Sequence, residues 1–215
     1  MLNEVKRAGC TVFLALGLLI PGAPPSAASQ GAIADRDVAV QVARADATLT
    51  QQELWDALKS GGHLALLRHA MAPGTGDPAN FAVNDCHTQR NLSDQGREQA
   101  RRIGVRFRER GMSVASVFSS QWCRCLETAR LLGLGPVTQQ PVLNSFFRNY
   151  ERREPQTRML REWIARQKLN APLILVTHQV NITALTGVYP QSGELVILRR
   201  DMGGELSVAG TIRTE

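Results

Sequence analysis

The sequence predicts an α/β fold: a single domain on a mainly parallel sheet with helices on both faces. Three observations predict it. Three short apolar runs read as buried strands, amphipathic helical patterns separate them, and the 215 residues, 43% hydrophobic, show no internal repeat or interior linker. Alternation of strand and helix favours parallel pairing, because a parallel return needs a crossover about as long as a helix.

The elements follow in order. Residues 35–49 form an Ala/Val-rich lead-in without a decisive period. Thr50-Gln51-Gln52-Glu53 is a capping box that starts a helix over 51–59, stopped by Gly61-Gly62. His63 to His69 reads as a strand, and Leu64-Ala65-Leu66-Leu67 has no polar position, as expected of burial on both faces. A loop over 70–92 carries Pro73, Gly74, Gly76 and Pro78. Ser93 caps a helix to about Arg110 with Ala100, Ile103, Val105 and Phe107 inward, and Gly111 ends it. Val114 to Ser119 is a second buried strand, Trp122 to Leu132 a helix, and Val137 to Val142 an edge strand. Pro155 opens an amphipathic helix with Met159, Leu160, Trp163 and Ile164 that ends near Lys168. Pro172 to Thr177 is the third apolar strand, and Glu194–Arg199 with Leu206–Ile212 around Gly203-Gly204 forms a closing hairpin. Trp55, Trp122 and Trp163 are read as packing residues.

The amino terminus has a different layout. Lys6 and Arg7 precede the apolar run Thr11 to Ile20, and Pro21 to Gln30 is small and rich in breakers, the pattern of a secretory signal peptide. It is assigned to residues 1–28, with cleavage after Ala28 or Ala34, and the folded domain to 50–215. The run is about half the ~20 residues a spanning helix needs, so no stable membrane span is expected and the product is exported to the periplasm or secreted. Cys10 leaves with the signal, and in an oxidising compartment Cys86 pairs with Cys123 or with Cys125. A zinc site from Cys86, His87, Cys123 and Cys125 lacks the usual ligand spacing, so no metal is expected. The formal charge is +6, and 22 of the 25 basic residues are Arg. Without lysine runs or a basic tail, this composition argues against nucleic acid and for a small phosphorylated ligand.

The chemistry falls where the apolar strands end, which is where open α/β sheets bind ligands. The first strand delivers Arg68-His69, the second Ser119-Ser120 with Arg124 just beyond, and the third Thr177-His178-Gln179. Guanidinium forks, imidazoles and helix N-termini at one edge suit a phosphoryl group.

Four segments in this order, Leu67-Arg68-His69-Ala70, then 92–100, then 119–129 with Arg124, then Val176-Thr177-His178, resemble the histidine phosphatase, or phosphoglycerate mutase-like, superfamily over about residues 60–200. The resemblance implies that fold and a metal-independent phosphomonoesterase without cofactor. It makes His69 the nucleophile that becomes phosphohistidine, His178 a second catalytic residue, and Arg68 and Arg124 the substrate-binding arginines. It also implies a carboxylic acid that protonates the leaving oxygen, for which Glu151, 27 residues after Arg124, comes first and Glu154 and Glu194 follow. Another branch carries an Asp directly after the last histidine, but Gln179 stands there. Ala70 replaces the family's usual Gly and would be strained if its backbone needed a positive φ. Arg152-Arg153 falls in the segment that lines the family's cleft mouth, whereas Arg101-Arg102 reads as a solvated helix face. The expected substrate is a phosphorylated small molecule or an envelope glycan. The rival readings are a phosphomutase of the same fold and a non-catalytic phosphate-binding envelope protein.

Overall fold

Alternation along the strands sorts the apolar side chains into two layers. The computed structural model describes residues 49–214, so the signal-peptide assignment, its cleavage positions and residues 35–48 of the lead-in lie outside the described residues. Eleven helices and strands follow: α1 (Gln51–Ser60), β1 (His63–Arg68), α2 (Asp94–Glu109), β2 (Ser116–Ser119), α3 (Cys123–Leu131), β3 (Val137–Gln139), α4 (Arg153–Ala165), β4 (Leu173–Thr177), α5 (Gln179–Thr186), β5 (Leu195–Arg200) and β6 (Leu206–Ile212). The strands form one sheet in the order β3-β2-β4-β1-β5-β6. Pairing is parallel from β3 through β2 and β4 to β1, and antiparallel from β1 to β5 and β6.

One face of the sheet carries Ala65, Leu67, Val117, Ile174, Val176 and Ile197, which pack on Leu54, Trp55 and Leu58 of α1, Ile103 and Phe107 of α2, and Ala129 of α3. The other carries Leu64, Leu66, Leu173, Leu175 and Val196, against Leu160 and Ile164 of α4 and Ile182 and Leu185 of α5. Adjacent residues on β1 and β4 therefore serve opposite cores, which is why these runs contain no polar position.

The local signals act as expected at several ends. Thr50 Oγ1 accepts from Glu53 N–H while the Glu53 carboxylate accepts from Thr50 N–H, completing the capping box. Ser93 caps α2 through Gly96 N–H. Two glycines on α2 permit close packing. A β-carbon on Gly104 would stand 2.0 Å from Leu132 O, and one on Gly96 2.0 Å from Met71 O.

Several boundaries differ from the sequence reading. Val114 is exposed and β2 starts only at Ser116; Val105 and Met159 also face solvent, because the apolar stripes of α2 and α4 are narrower than the periodicity suggested. The edge strand stops at Gln139, since Pro141 supplies no N–H to a ladder and begins a 3₁₀ turn, Pro141–Leu143. Helix α4 begins at Arg153, two residues before Pro155, which occupies its first turn. Helix α5 was not foreseen: its eight residues include β-branched Val180, Ile182, Thr183 and Thr186, which read poorly as helix, and Gly187 at φ 76° closes it. Cys86 is bridged to Cys123, and Cys125 is a buried free thiol.

Candidate active site

Parallel register assembles the site. Arg68 on β1 pairs with Thr177 on β4, and Ser119 on β2 pairs with Val176. The next residues, His69, His178 and Ser120, therefore leave the sheet side by side, held by His69 N–H to Thr177 O at 3.0 Å and Ser120 N–H to Val176 O at 2.9 Å. The two imidazole centroids are 5.5 Å apart. Arg124, on the first turn of α3, points between them: its Nε donates toward His69 Nε2 at 3.3 Å and its Nη2 toward His178 Nδ1 at 3.4 Å. All three side chains are buried.

These contacts fix the tautomer of His69. Its Nδ1 lies 2.8 Å from Ala70 O, which can only accept, so Nδ1 carries the hydrogen and Nε2 presents a lone pair toward Arg124. Burial foremost, then the Arg124 charge, hold His69 well below the usual histidine range against the opposing Ala70 bond, with Arg90 and Arg68 adding to the depression. Burial, Arg124 and the neighbouring His69 do the same to His178. Both rings are neutral at neutral pH. His178 Nδ1 accepts from Arg124, leaving Nε2–H to meet Ser120 Oγ at 2.9 Å, and Ser120 in turn donates to Asn144 Oδ1 at 3.2 Å. Cys125 Sγ sits behind, 3.5 Å from His178 Nε2, and burial pushes its thiol up to about 12.

The histidines and Arg124 form the floor of a cleft of about 420 Å³ whose walls include Arg68, Asp77, Arg90, Trp122, Phe147 and Arg148. Four arginines face one carboxylate, a net of three positive charges around a space large enough for a small phosphate ester. Arg68 donates from Nη1 to Pro190 O at 2.8 Å, while its buried Nε–H has no partner among the described residues. Asp77 caps the far end of the Arg124 guanidinium, Oδ1 to Nη1 at 2.7 Å and Oδ2 to Nη2 at 3.2 Å, and also accepts from Trp122 Nε1 and Arg90 N–H, both at 3.0 Å. Burial works against its charge, but the Arg124 hydrogen bonds and charge outweigh burial and hold the carboxyl below the ordinary range.

Of the residues selected from sequence, His69, His178, Arg68 and Arg124 converge here. Glu151 does not: it lies exposed on the 3₁₀ turn Tyr150–Arg152 and contributes nothing to the cleft lining, and neither do Arg152, Arg153 and Glu154. Glu194 is buried nearby, but its carboxylate accepts from Gln191 N–H at 2.7 Å and closes that turn. His87 is exposed outside the cleft, and among the described residues no three His, Cys, Asp or Glu side chains are grouped to hold a metal. Ala70 avoids the feared strain, since Arg148 is the one non-glycine residue with positive φ among those described. Trp122 departs from a pure packing role: it stacks on Phe81 at 4.9 Å, stands edge-on to His178 at 5.4 Å and lines the cleft.

Asp77, Arg90 and Arg148 escaped the sequence reading. A charged residue between Gly76 and Pro78, in the long loop that follows the first strand-end motif, was the available signal for Asp77, because such loops carry function when a rigid sheet positions them.

Known proteins resemble this chain in part of its sequence and in its fold. Residues 64–157 match the family model described as histidine phosphatase superfamily, branch 1. No curated protein matches the sequence. Among solved structures, the protein histidine phosphatase SixA bound to tungstate is similar at 14% identity and a TM-score of 0.51, over 71% of this chain and 97% of that one. A phosphoserine phosphatase variant of Entamoeba histolytica in complex with phosphoserine gives 12% and 0.53 over 71% and 98%. An open reading frame product of Mycobacterium tuberculosis gives 18% and 0.50 over 66% and 92%. At these identities the structural likeness establishes the phosphoglycerate mutase-like fold, and the family match covers the segment that carries His69, Asp77, Arg90 and Arg124. The chain therefore has the phosphoglycerate mutase-like fold, and its residues 64–157 are similar to the histidine phosphatase superfamily, branch 1.

Proposed function

We propose that this protein is an exported phosphomonoesterase that works through a phosphohistidine on His69. The observation that carries the reading is the single neutral tautomer of His69, its Nδ1–H tied to Ala70 O and its Nε2 lone pair turned toward Arg124 on the cleft floor. An uncharged imidazole so oriented attacks phosphorus directly, and the arginines neutralise the equatorial oxygens, so the reading needs no metal. Arg124 offers Nε–H and Nη2–H on the edge facing the two histidines, and Arg68 offers its unpartnered Nε–H. Ser120 can reverse its hydroxyl and donate to His178 Nε2, which moves that ring's hydrogen to Nδ1 and lets it bond a phosphoryl oxygen.

Hydrolysis is preferred to mutase chemistry because the rim residues Phe147 and Arg148 stand exposed, so water reaches the intermediate. Without strain at Ala70, the non-catalytic reading loses one of the two features that favoured it, the other being the unassigned proton donor. Export is supported by the apolar run Thr11–Ile20 and by the Cys86–Cys123 bridge, which an oxidising compartment maintains. The surplus of arginine in the cleft favours a substrate with more negative charge than one phosphate, whether a phosphorylated small molecule or an envelope glycan phosphate.

The purified protein should release phosphate from 4-nitrophenyl phosphate, and His69→Ala should abolish release by about 10⁴-fold or more. Equal turnover by the variant would reject the reading.

A further inference from the structure

The cleft holds an acid that the sequence did not single out. Resting on the phosphohistidine reading above, we propose that Asp77 is the general acid that protonates the leaving oxygen and the general base that activates water in the second step. Transfer of phosphorus to His69 breaks the ester P–O bond, and an alkoxide or phenoxide leaves poorly unless a proton reaches it. The cleft walls supply few donors. Arginine does not release a proton at working pH, both histidines are buried neutral bases, and Asp77 is the one carboxyl group on the lining.

The geometry leaves Asp77 in place when substrate binds. Its carboxylate takes the Nη1/Nη2 end of Arg124, whereas the Nε/Nη2 edge faces His69 and His178, so a phosphoryl group and Asp77 can share one guanidinium. Trp122 Nε1 and Arg90 N–H hold the carboxyl from two further directions, and Arg148 approaches Gly76 beside it. In the free protein these groups keep Asp77 ionised. A phosphate ester next to it draws on the same Arg124 charge and adds negative charge of its own, which favours a proton on Asp77, and a monoanionic ester brings that proton with it.

The cycle balances. His69 Nε2 forms the N–P bond, the P–O ester bond breaks, and the Asp77 proton goes to the departing oxygen. Water then gives its proton to the Asp77 carboxylate and its oxygen to phosphorus as the N–P bond breaks, restoring neutral His69 and protonated Asp77.

The test compares 4-nitrophenyl phosphate, whose leaving group needs little protonation, with phenyl phosphate, which has nearly the same shape. Asp77→Asn should lower kcat/KM for phenyl phosphate about 10²-fold or more, and for 4-nitrophenyl phosphate by less than about threefold. It should also release a burst of nitrophenolate before a slow steady state, because the second step has lost its base. Asp77→Glu should recover part of the phenyl phosphate activity. An equal fall with both esters would show that Asp77 only holds Arg124, and would overturn the assignment, as would no fall with phenyl phosphate. Should Asp77→Asn fail to fold, the wild-type protein gives the answer alone across a series of substituted phenyl phosphates. A shallow dependence of kcat/KM on leaving-group basicity supports the general acid, and a steep one overturns it. A wild-type protein inert toward every ester, 4-nitrophenyl phosphate included, would instead reject the phosphatase reading on which this assignment rests.

Discussion

In the proposed mechanism, one backbone carbonyl and one guanidinium prepare His69 for attack on phosphorus. The carbonyl of Ala70 selects the tautomer, and Arg124 places positive charge at the atom where transferred charge will gather. Arg124→Ala removes donors aimed at the phosphoryl oxygens and leaves Asp77 without its main partner. It should lower kcat/KM for 4-nitrophenyl phosphate about 10³-fold, with a smaller loss for Arg124→Lys, which keeps the charge but not the fork. Arg148 sits at the rim with φ 68°, a conformation that costs about 1 kcal/mol or more for a non-glycine residue, and its guanidinium lies over Gly76. Arg148→Ala should raise KM about tenfold for esters with a second anionic group, such as a phosphorylated hydroxy acid, and leave 4-nitrophenyl phosphate unchanged. Steady-state kinetics on the two ester classes decides this, and an equal change in both would remove Arg148 from substrate selection.

At the scale of elements, α2 is the keel against which both halves of the site are set. Gly96 lets the helix touch the carbonyl of Met71, two residues beyond His69, and Gly104 lets it touch the carbonyl of Leu132 just after α3. Gly104→Ala should cost about 1–3 kcal/mol in urea unfolding with turnover kept, since the overlap is with backbone and outweighs the helix propensity gained. Gly96→Ala should lower turnover as well, because Met71 must move. The strand ends were legible in the sequence because unbroken apolar runs fix both the strands and the point where polarity resumes, which is how Arg68-His69 and His178 were found. The family resemblance puts the acid first at Glu151, 27 residues after Arg124, but the 3₁₀ turn at Tyr150–Arg152 carries that side chain outward. Asp77 was missed because its position depends on a loop path that only hydrogen bonds to Arg124, Trp122 and Arg90 define, and no periodicity reports such a path.

The molecule as a whole couples its chemistry to its stability. Cys86–Cys123 closes a loop of 37 residues that contains Arg90 and fastens it beside Arg124, a cross-link worth about 4 kcal/mol in the chain-entropy account. Cys86→Ser should therefore lower the urea midpoint markedly, and should weaken activity through the loss of order around Arg90. Burial of two neutral histidines has an opposite cost in acid. Their folded values lie well below the unfolded 6.5, so above that pH neither state binds the extra protons, and as pH falls below it the unfolded chain takes them up first. Stability should fall progressively as pH drops below about 6.5, and a His178→Gln variant should show a weaker dependence in urea titrations across that window. The central claim concerns a covalent bond, and the most direct measurement is to quench wild-type protein with a ³²P-labelled ester during turnover and map the label by mass spectrometry under alkaline conditions. The account predicts an acid-labile, base-stable phosphoryl group on His69 alone, absent in His69→Ala; label on another side chain, or turnover with no labelled protein at any time point even in Asp77→Asn, would contradict it.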